Sequence, residues 1–130
     1  MDKRDAVCEW LKYADNDLEA ARQLLTFHPP KIEIICYLCQ QSAEKVFKAF
    51  WIFLGKYPIK THDLELLRNG CEEVDYSFAE LAIECSRLND YSSQPRYPFG
   101  LELTENDAQL AVKDSGKISE FVKVRINIDN

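Results

Sequence analysis

Between Tyr37 and His62 the sequence gathers the side chains best suited to binding chemistry: Gln40, Gln41, Glu44, Lys45 and Lys48, then Thr61 and His62. At 3.6 residues per turn, Tyr37, Gln40, Gln41, Glu44, Lys45 and Lys48 fall on one arc of a helix. From Gln40 to His62 the only acid is Glu44, whereas Lys45, Lys48, Lys56 and Lys60 are cationic, so a positive island stands inside a chain of net charge -6. Thr61 is placed to start a helix, whose free N–H groups and dipole favour an anion, and a phosphate fits between that turn and the lysine stripe. Gln40, Gln41 and Arg96 can hydrogen-bond a base or sugar, and Tyr37 or Tyr97 can stack on a base. The structural reading of the same residues is simpler. Gln41 with Lys45 and Glu44 with Lys48 are i,i+4 pairs, each stabilising a helix by about 0.2–0.5 kcal/mol without a ligand. On that reading His62 is a first-turn or packing residue and Arg96-Tyr97-Pro98 is a docked loop.

Other patterns carry less chemistry. Cys36-x-x-Cys39 is the one paired cysteine motif, with no second pair and no histidine at finger spacing, so it reads as buried small hydrophobes rather than a zinc or redox site. Asp15, Asp17 and Glu19 lack the glycine of a calcium loop and keep a helical period. No metal or cofactor is expected. The five cysteines, an odd number without framework spacing, suit a compartment where thiols stay reduced.

These side chains need elements to hold them. The stretch Ile32 to Leu54 reads as one long helix, polar on the arc above and apolar over the rest through Ile34, Ile35, Leu38, Cys39, Ala43, Val46, Phe47, Phe50, Trp51 and Phe53. Such a helix must be covered on most sides, and the rest of the chain is organised around it. Ahead of it, Val7, Leu11, Ala14, Leu18, Ala21 and Leu25 make one face of an amphipathic helix from about Asp5 to Leu25, with Trp10 and Leu24 widening it. His28-Pro29-Pro30 ends that helix. Gly55 and Tyr57-Pro58 end the central one.

A third, short helix is expected from Thr61 to a break near Asn69-Gly70. Ser77-Phe78-Ala79-Glu80 matches a capping box for a fourth, with Phe78, Leu81, Ala82, Cys85 and Leu88 facing inward and an end near Asn89 to Tyr91. Residues Ser92 to Leu103 form a long connection with two prolines and a glycine, a length often functional. Thr104-Glu105-Asn106-Asp107 opens the last helix, with Gly116 a weak point and Val122 to Ile128 its frayed end. The sequence thus predicts an all-α, antiparallel bundle of about five helices with a long apolar central helix, in a single domain over residues 1–130.

A net charge of -6 and pI near 4.9 argue against bulk attraction to nucleic acid or an anionic membrane, so anion binding must be local. The N-terminus lacks the apolar core of a secretory signal, and the longest purely apolar run near the middle, Ala49 to Leu54, is too short to span a bilayer. A cytoplasmic protein without membrane contact is expected.

The combination of CYLCQQSAEKVFKAF (Cys36 to Phe50), THDL (Thr61 to Leu64) and an Arg-Tyr-Pro loop (Arg96 to Pro98) resembles the HEPN family of small helical domains. YADNDLEAARQLL (Tyr13 to Leu25) and the order of five helices fit it too. The resemblance implies an antiparallel bundle that dimerises, and a stand-alone member encoded beside a minimal nucleotidyltransferase. There it acts as a nucleotide-binding partner or as half of a toxin–antitoxin pair. The rival reading it implies is a metal-independent ribonuclease, using an arginine followed after four to six residues by a histidine. Arg87 stands at a comparable place, but Ser92, Ser93 and Gln94 occupy the histidine positions. None of them can be a general base near neutral pH. Arg22 and His28 have the spacing in the first helix, beside two prolines. A ribonuclease would need that pair, or His62 brought to Arg87 or Arg96. No catalytic residue is therefore assigned. A third reading is a non-catalytic interaction module, built on whatever part of the central helix five helices leave uncovered.

Overall fold

A computed structural model describes residues 2–92 and 102–126. Five α-helices run α1 (Lys3–Leu25), α2 (Ile32–Phe53), α3 (Leu64–Glu72), α4 (Ala82–Asn89) and α5 (Glu105–Arg125), and a 3₁₀ segment, Tyr76–Leu81, leads straight into α4. No strand occurs among the described residues.

The helix α2 is the axis of the bundle. Twelve of its residues are buried, from Ile35 to Trp51, because α1, α3, α4 and α5 all pack on it. Small residues let α1 approach closely: Ala14 and Ala21 are fully buried, and the Ser42 hydroxyl donates to the Ala14 carbonyl at 2.8 Å. From α5 the Ser115 hydroxyl donates to the Cys39 carbonyl at 2.9 Å. These hydroxyls are buried, so the two bonds satisfy groups that would otherwise be costly to leave dry. Phe78 of the 3₁₀ segment sits among Phe47 and Phe50 of α2 and Phe121 of α5, with centroids 6.3, 4.7 and 5.1 Å away. Phe47 and Phe78 are fully buried, and each such side chain contributes about 1.5–3 kcal/mol of apolar burial.

The helix ends follow local chemistry. Asp2 caps α1 by accepting from the Asp5 N–H at 2.8 Å. Gly55, at φ 82°, takes the left-handed position after α2, where the Lys56 N–H reaches back to the Trp51 carbonyl. Thr104 and Asp107 form the capping box of α5, which runs unbroken past Gly116 to Arg125. The last described residue, Ile126, ends that helix, so an expected frayed end as far as Ile128 lies partly outside the described residues.

Three boundaries differ from the sequence reading. The third helix starts at Leu64 and not at Thr61: Asp63 is its cap, accepting from the Glu65 N–H at 2.9 Å, and Thr61 instead accepts from the Asp63 N–H. The same helix does not break at Asn69-Gly70 but continues to Glu72, with Gly70 buried beneath Trp51. The Ser77–Glu80 capping box does not form. Asp75 caps that segment instead, accepting from both the Ser77 N–H and its hydroxyl.

Candidate functional site

Glu44 is the centre of the polar arc. It lies on the turn of α2 that faces the connection to α3, with its side chain only 6% exposed, and three partners converge on it. Lys48 donates to one carboxylate oxygen at 2.9 Å, and the His62 Nδ1 stands 2.9 Å from the other. Gln41 reaches the same carboxylate at 3.4 Å. A carboxylate only accepts, so the imidazole hydrogen is on Nδ1 and Nε2 is left to face outward. The His62 side chain is 69% exposed, and its ring orientation is set from behind by a buried acid.

Gln40 holds the segment that carries His62. It is fully buried, its amide donates to the His62 carbonyl at 2.8 Å, and its own carbonyl accepts from Gln41 at 2.8 Å. Both glutamines are therefore engaged within the protein, and Gln40 acts as a strut. Tyr37 is half-buried on the same helix. The Thr61 hydroxyl accepts from the Asp63 N–H at 3.1 Å. The first N–H groups of α3 are also taken: Asp63 accepts from Glu65, and the Asn89 side chain at the end of α4 accepts from Leu64 at 2.9 Å. The predicted anion position at that turn is thus filled by the protein's own oxygens.

The positive island is mostly neutralised. Lys45 pairs with Asp17 of α1, Lys48 with Glu44, and Lys56 with Glu73 at 3.3 Å while also donating to the Gly70 carbonyl. Lys60 is exposed and carries no ion pair among the described residues.

A cleft of about 230 Å³ opens beside this hub, lined by Trp10, Lys48, Ile52, Tyr57, Pro58, Ile59 and Lys60. The Lys48 ammonium stands 5.6 Å from the centroid of the Trp10 ring, within cation–π range. Tyr57 is 86% exposed. One carboxylate, Glu44, joins the cleft lysine to His62. Trp10, Tyr57 and Lys60 were not among the residues the sequence singled out as a site. Trp10 read as a widened apolar face of the first helix, Tyr57 as part of a helix stop, and Lys60 only as a charge in the island.

The arginine of the ribonuclease pattern has a partner of its own. Arg87 grips Asp114 of α5 through two bonds of 2.9 Å, Nε to Oδ2 and Nη2 to Oδ1, and Asp114 is buried. That fork holds the guanidinium firmly protonated. Arg22 lies in the last turn of α1, in a groove shared with α5, and His28 is exposed beyond the helix end. Arg96 and Tyr97 lie outside the described residues. Cys36 and Cys39 are buried, and burial pushes the Cys36 thiol up to about 12 and raises that of Cys39 further. Thiolate chemistry is disfavoured there. Among the described residues no group of three or more His, Cys, Asp or Glu is placed to hold a metal ion, and no helix is long and apolar enough to cross a membrane.

The architecture is an all-helical bundle in which four helices and a 3₁₀ segment enclose a central one. The family model of the HEPN domain matches residues 7–125, and the chain belongs to that family. An archaeal HEPN homologue of known crystal structure superposes with a TM-score of 0.74 at 28% identity, over 93% of this chain and 98% of that one. No curated protein matches the chain.

Proposed function

We propose that the cleft beside Glu44 binds a ligand of the nucleotide class, a nucleotide or a phosphate-linked nucleoside of RNA. We further propose that the domain works as a homodimer and as an accessory partner of a minimal nucleotidyltransferase, in the manner of one half of a toxin–antitoxin pair. The observation that carries the binding reading is the composition of the cleft. Two aromatic side chains, Trp10 and Tyr57, stand with two lysines, Lys48 and Lys60, and Glu44 links Lys48 to an oriented imidazole. Aromatic rings offer a stacking surface for any base, an exposed lysine offers donors to a phosphate, and the imidazole, with its hydrogen on Nδ1, offers Nε2 as an acceptor to a ribose hydroxyl. The enzyme partner rests on the family alone.

The test is thermal stabilisation by a panel of nucleoside mono-, di- and triphosphates, since a ligand that binds only the folded state raises the melting temperature. A concentration-dependent rise is expected, lost in Trp10→Ala and reduced in Lys60→Ala and His62→Ala. If no nucleotide raises the midpoint, the binding reading is wrong. Co-purification with a nucleotidyltransferase tests the partner separately.

One observation favours a second reading, a metal-independent ribonuclease. A buried acid orienting an exposed histidine is the arrangement that proton transfer to or from a 2′-hydroxyl requires. The Asn89 amide also donates to Asp63 at 3.0 Å, which ties the end of α4, two residues beyond Arg87, to the residue after His62. RNA cleavage in chelator, abolished by His62→Ala, would favour this reading over simple binding.

A further inference from the structure

A second depression of about 380 Å³ adjoins the cleft and is lined by Asp2, Lys3, Ala6, Ile52, Gly55, Lys56 and Tyr57. Ile52 and Tyr57 line both, so the two depressions share a wall. Along α1 one is marked by Trp10 and the other by Lys3, seven residues apart, which is about 10 Å of helix axis. One flat ring cannot occupy both. The first cleft alone is also smaller than the roughly 300 Å³ at which small-molecule pockets begin.

Charge then decides which ligand fits. Four lysines line the pair of depressions: Lys3, Lys48, Lys56 and Lys60. Lys48 is committed to Glu44 and Lys56 to Glu73, and Asp2 lines the second depression. About one net positive charge remains, on a molecule that is -6 overall. A triphosphate would find too little compensation there and would meet a repulsive long-range field. The groove is instead rich in apolar and aromatic surface, with Trp10, Pro58 and Ile59 in the first depression and Ile52 and Tyr57 shared between the two.

Resting on the nucleotide reading above, we infer that the occupant is a single-stranded dinucleotide step: two bases, one in each depression, separated by the Tyr57 side chain and joined by a single phosphate near Lys60. Stacking is the main contribution to binding, and charge is secondary.

The test compares a dinucleoside monophosphate, in ribo and deoxy forms, with AMP and ATP by calorimetry on the full chain. The dinucleotide is expected to bind at least about fivefold more tightly than either mononucleotide, the low end of what one further base–aromatic stack contributes. Its affinity should fall only about threefold between 50 and 200 mM salt, as one phosphate implies. Tyr57→Ala, at an exposed position that leaves the core intact, should weaken AMP, which meets this ring in one depression, and weaken the dinucleotide further, so that its advantage is lost. Tighter binding of ATP, or an equal loss for AMP and dinucleotide in Tyr57→Ala, overturns the two-base groove while leaving nucleotide binding in place. Absence of binding by all the ligands overturns both. The ribo and deoxy forms differ only if the 2′-hydroxyl is read, which identifies RNA or DNA as the source.

Discussion

At Glu44 three partners meet on a side chain almost closed to water, and the consequences of that burial are specific. Lys48 is itself only 12% exposed and depends on this carboxylate. Neutralising the acid leaves the ammonium in a poorly solvated place with a weaker acceptor. Glu44→Gln is therefore expected to destabilise the fold by about 1–3 kcal/mol, the range for losing a partner of a buried charged group. Urea unfolding would read this directly, and a loss below about 0.5 kcal/mol would show that solvent already compensates Lys48. The thiols offer a second check at this scale. Cys8 is exposed, whereas burial pushes Cys36, Cys71 and Cys85 up to about 12 and raises Cys39. A thiol reagent should thus modify one cysteine quickly in the native protein and the other four only on unfolding. Residue types and spacing revealed the Glu44–Lys48 pair, because an i,i+4 pair depends on helical period. They did not reveal that Gln40 is a strut or that Asp63 caps α3. Those roles depend on which backbone carbonyls and N–H groups a neighbouring segment presents.

Gly70 shows the same limit at the scale of the element. In the sequence, Asn-Gly reads as a break, yet α3 runs through it because the Trp51 indole of α2 lies across the glycine and donates to the Leu67 carbonyl at 2.8 Å. A Cβ at Gly70 would stand 2.1 Å from the nearest indole carbon, an impossible contact unless the ring moves. Alanine would gain about 1 kcal/mol of helix propensity. Against this stand overpacking, at about 1–3 kcal/mol, and the loss of the indole hydrogen bond, at about 1 kcal/mol. Gly70→Ala is expected to be destabilising overall despite its better helix propensity, with a shift in Trp51 fluorescence as the ring is displaced. A more stable variant would mean that α3 slides away from α2 at little cost. The long helices were legible as elements, since α1 and α2 have apolar periodicity with recognisable stops and α5 a capping sequence at its start, although α5 runs past Gly116 to Arg125 without the expected fraying. The 3₁₀ segment was not. Asp75 takes both Ser77 donors, and Phe78 then has to reach the phenylalanine cluster between α2 and α5. No local pattern encodes that reach.

For the whole molecule, stability against pH should be bounded on both sides by groups that tie the elements together. The hydrogen bond from the Ser77 hydroxyl, followed by the pairing with Arg125 of α5, holds Asp75 below the ordinary carboxylate range. Burial pushes Glu84 up, but the hydrogen bond and charge of Lys117, with Arg87, more than offset it and leave this carboxyl low as well. A carboxyl lowered by folding contributes stability above its unfolded pKa, near 4, and that contribution is lost as the pH falls through the folded value. The acid limb should therefore begin below about pH 4, and it should be shallower in Glu84→Gln, which no longer titrates. At the other side, burial pushes the thiols of Cys36, Cys71 and Cys85 and the Tyr91 phenol up to about 12. These groups stay protonated in the fold after the unfolded chain has begun to lose its protons. Their contribution is complete below the unfolded values of about 8.5–10 and declines as the pH rises toward the folded ones. Each group in that window adds up to about 1.4 kcal/mol of lost stability per pH unit. Urea midpoints should hold between about pH 5 and 8 and drop steeply above pH 9, and a Cys71→Ala, Cys85→Ala double variant should lower the plateau but flatten the alkaline slope. A slope unchanged by that variant would place the alkaline weakness elsewhere, because two of the buried thiols would then have been removed without effect on proton release.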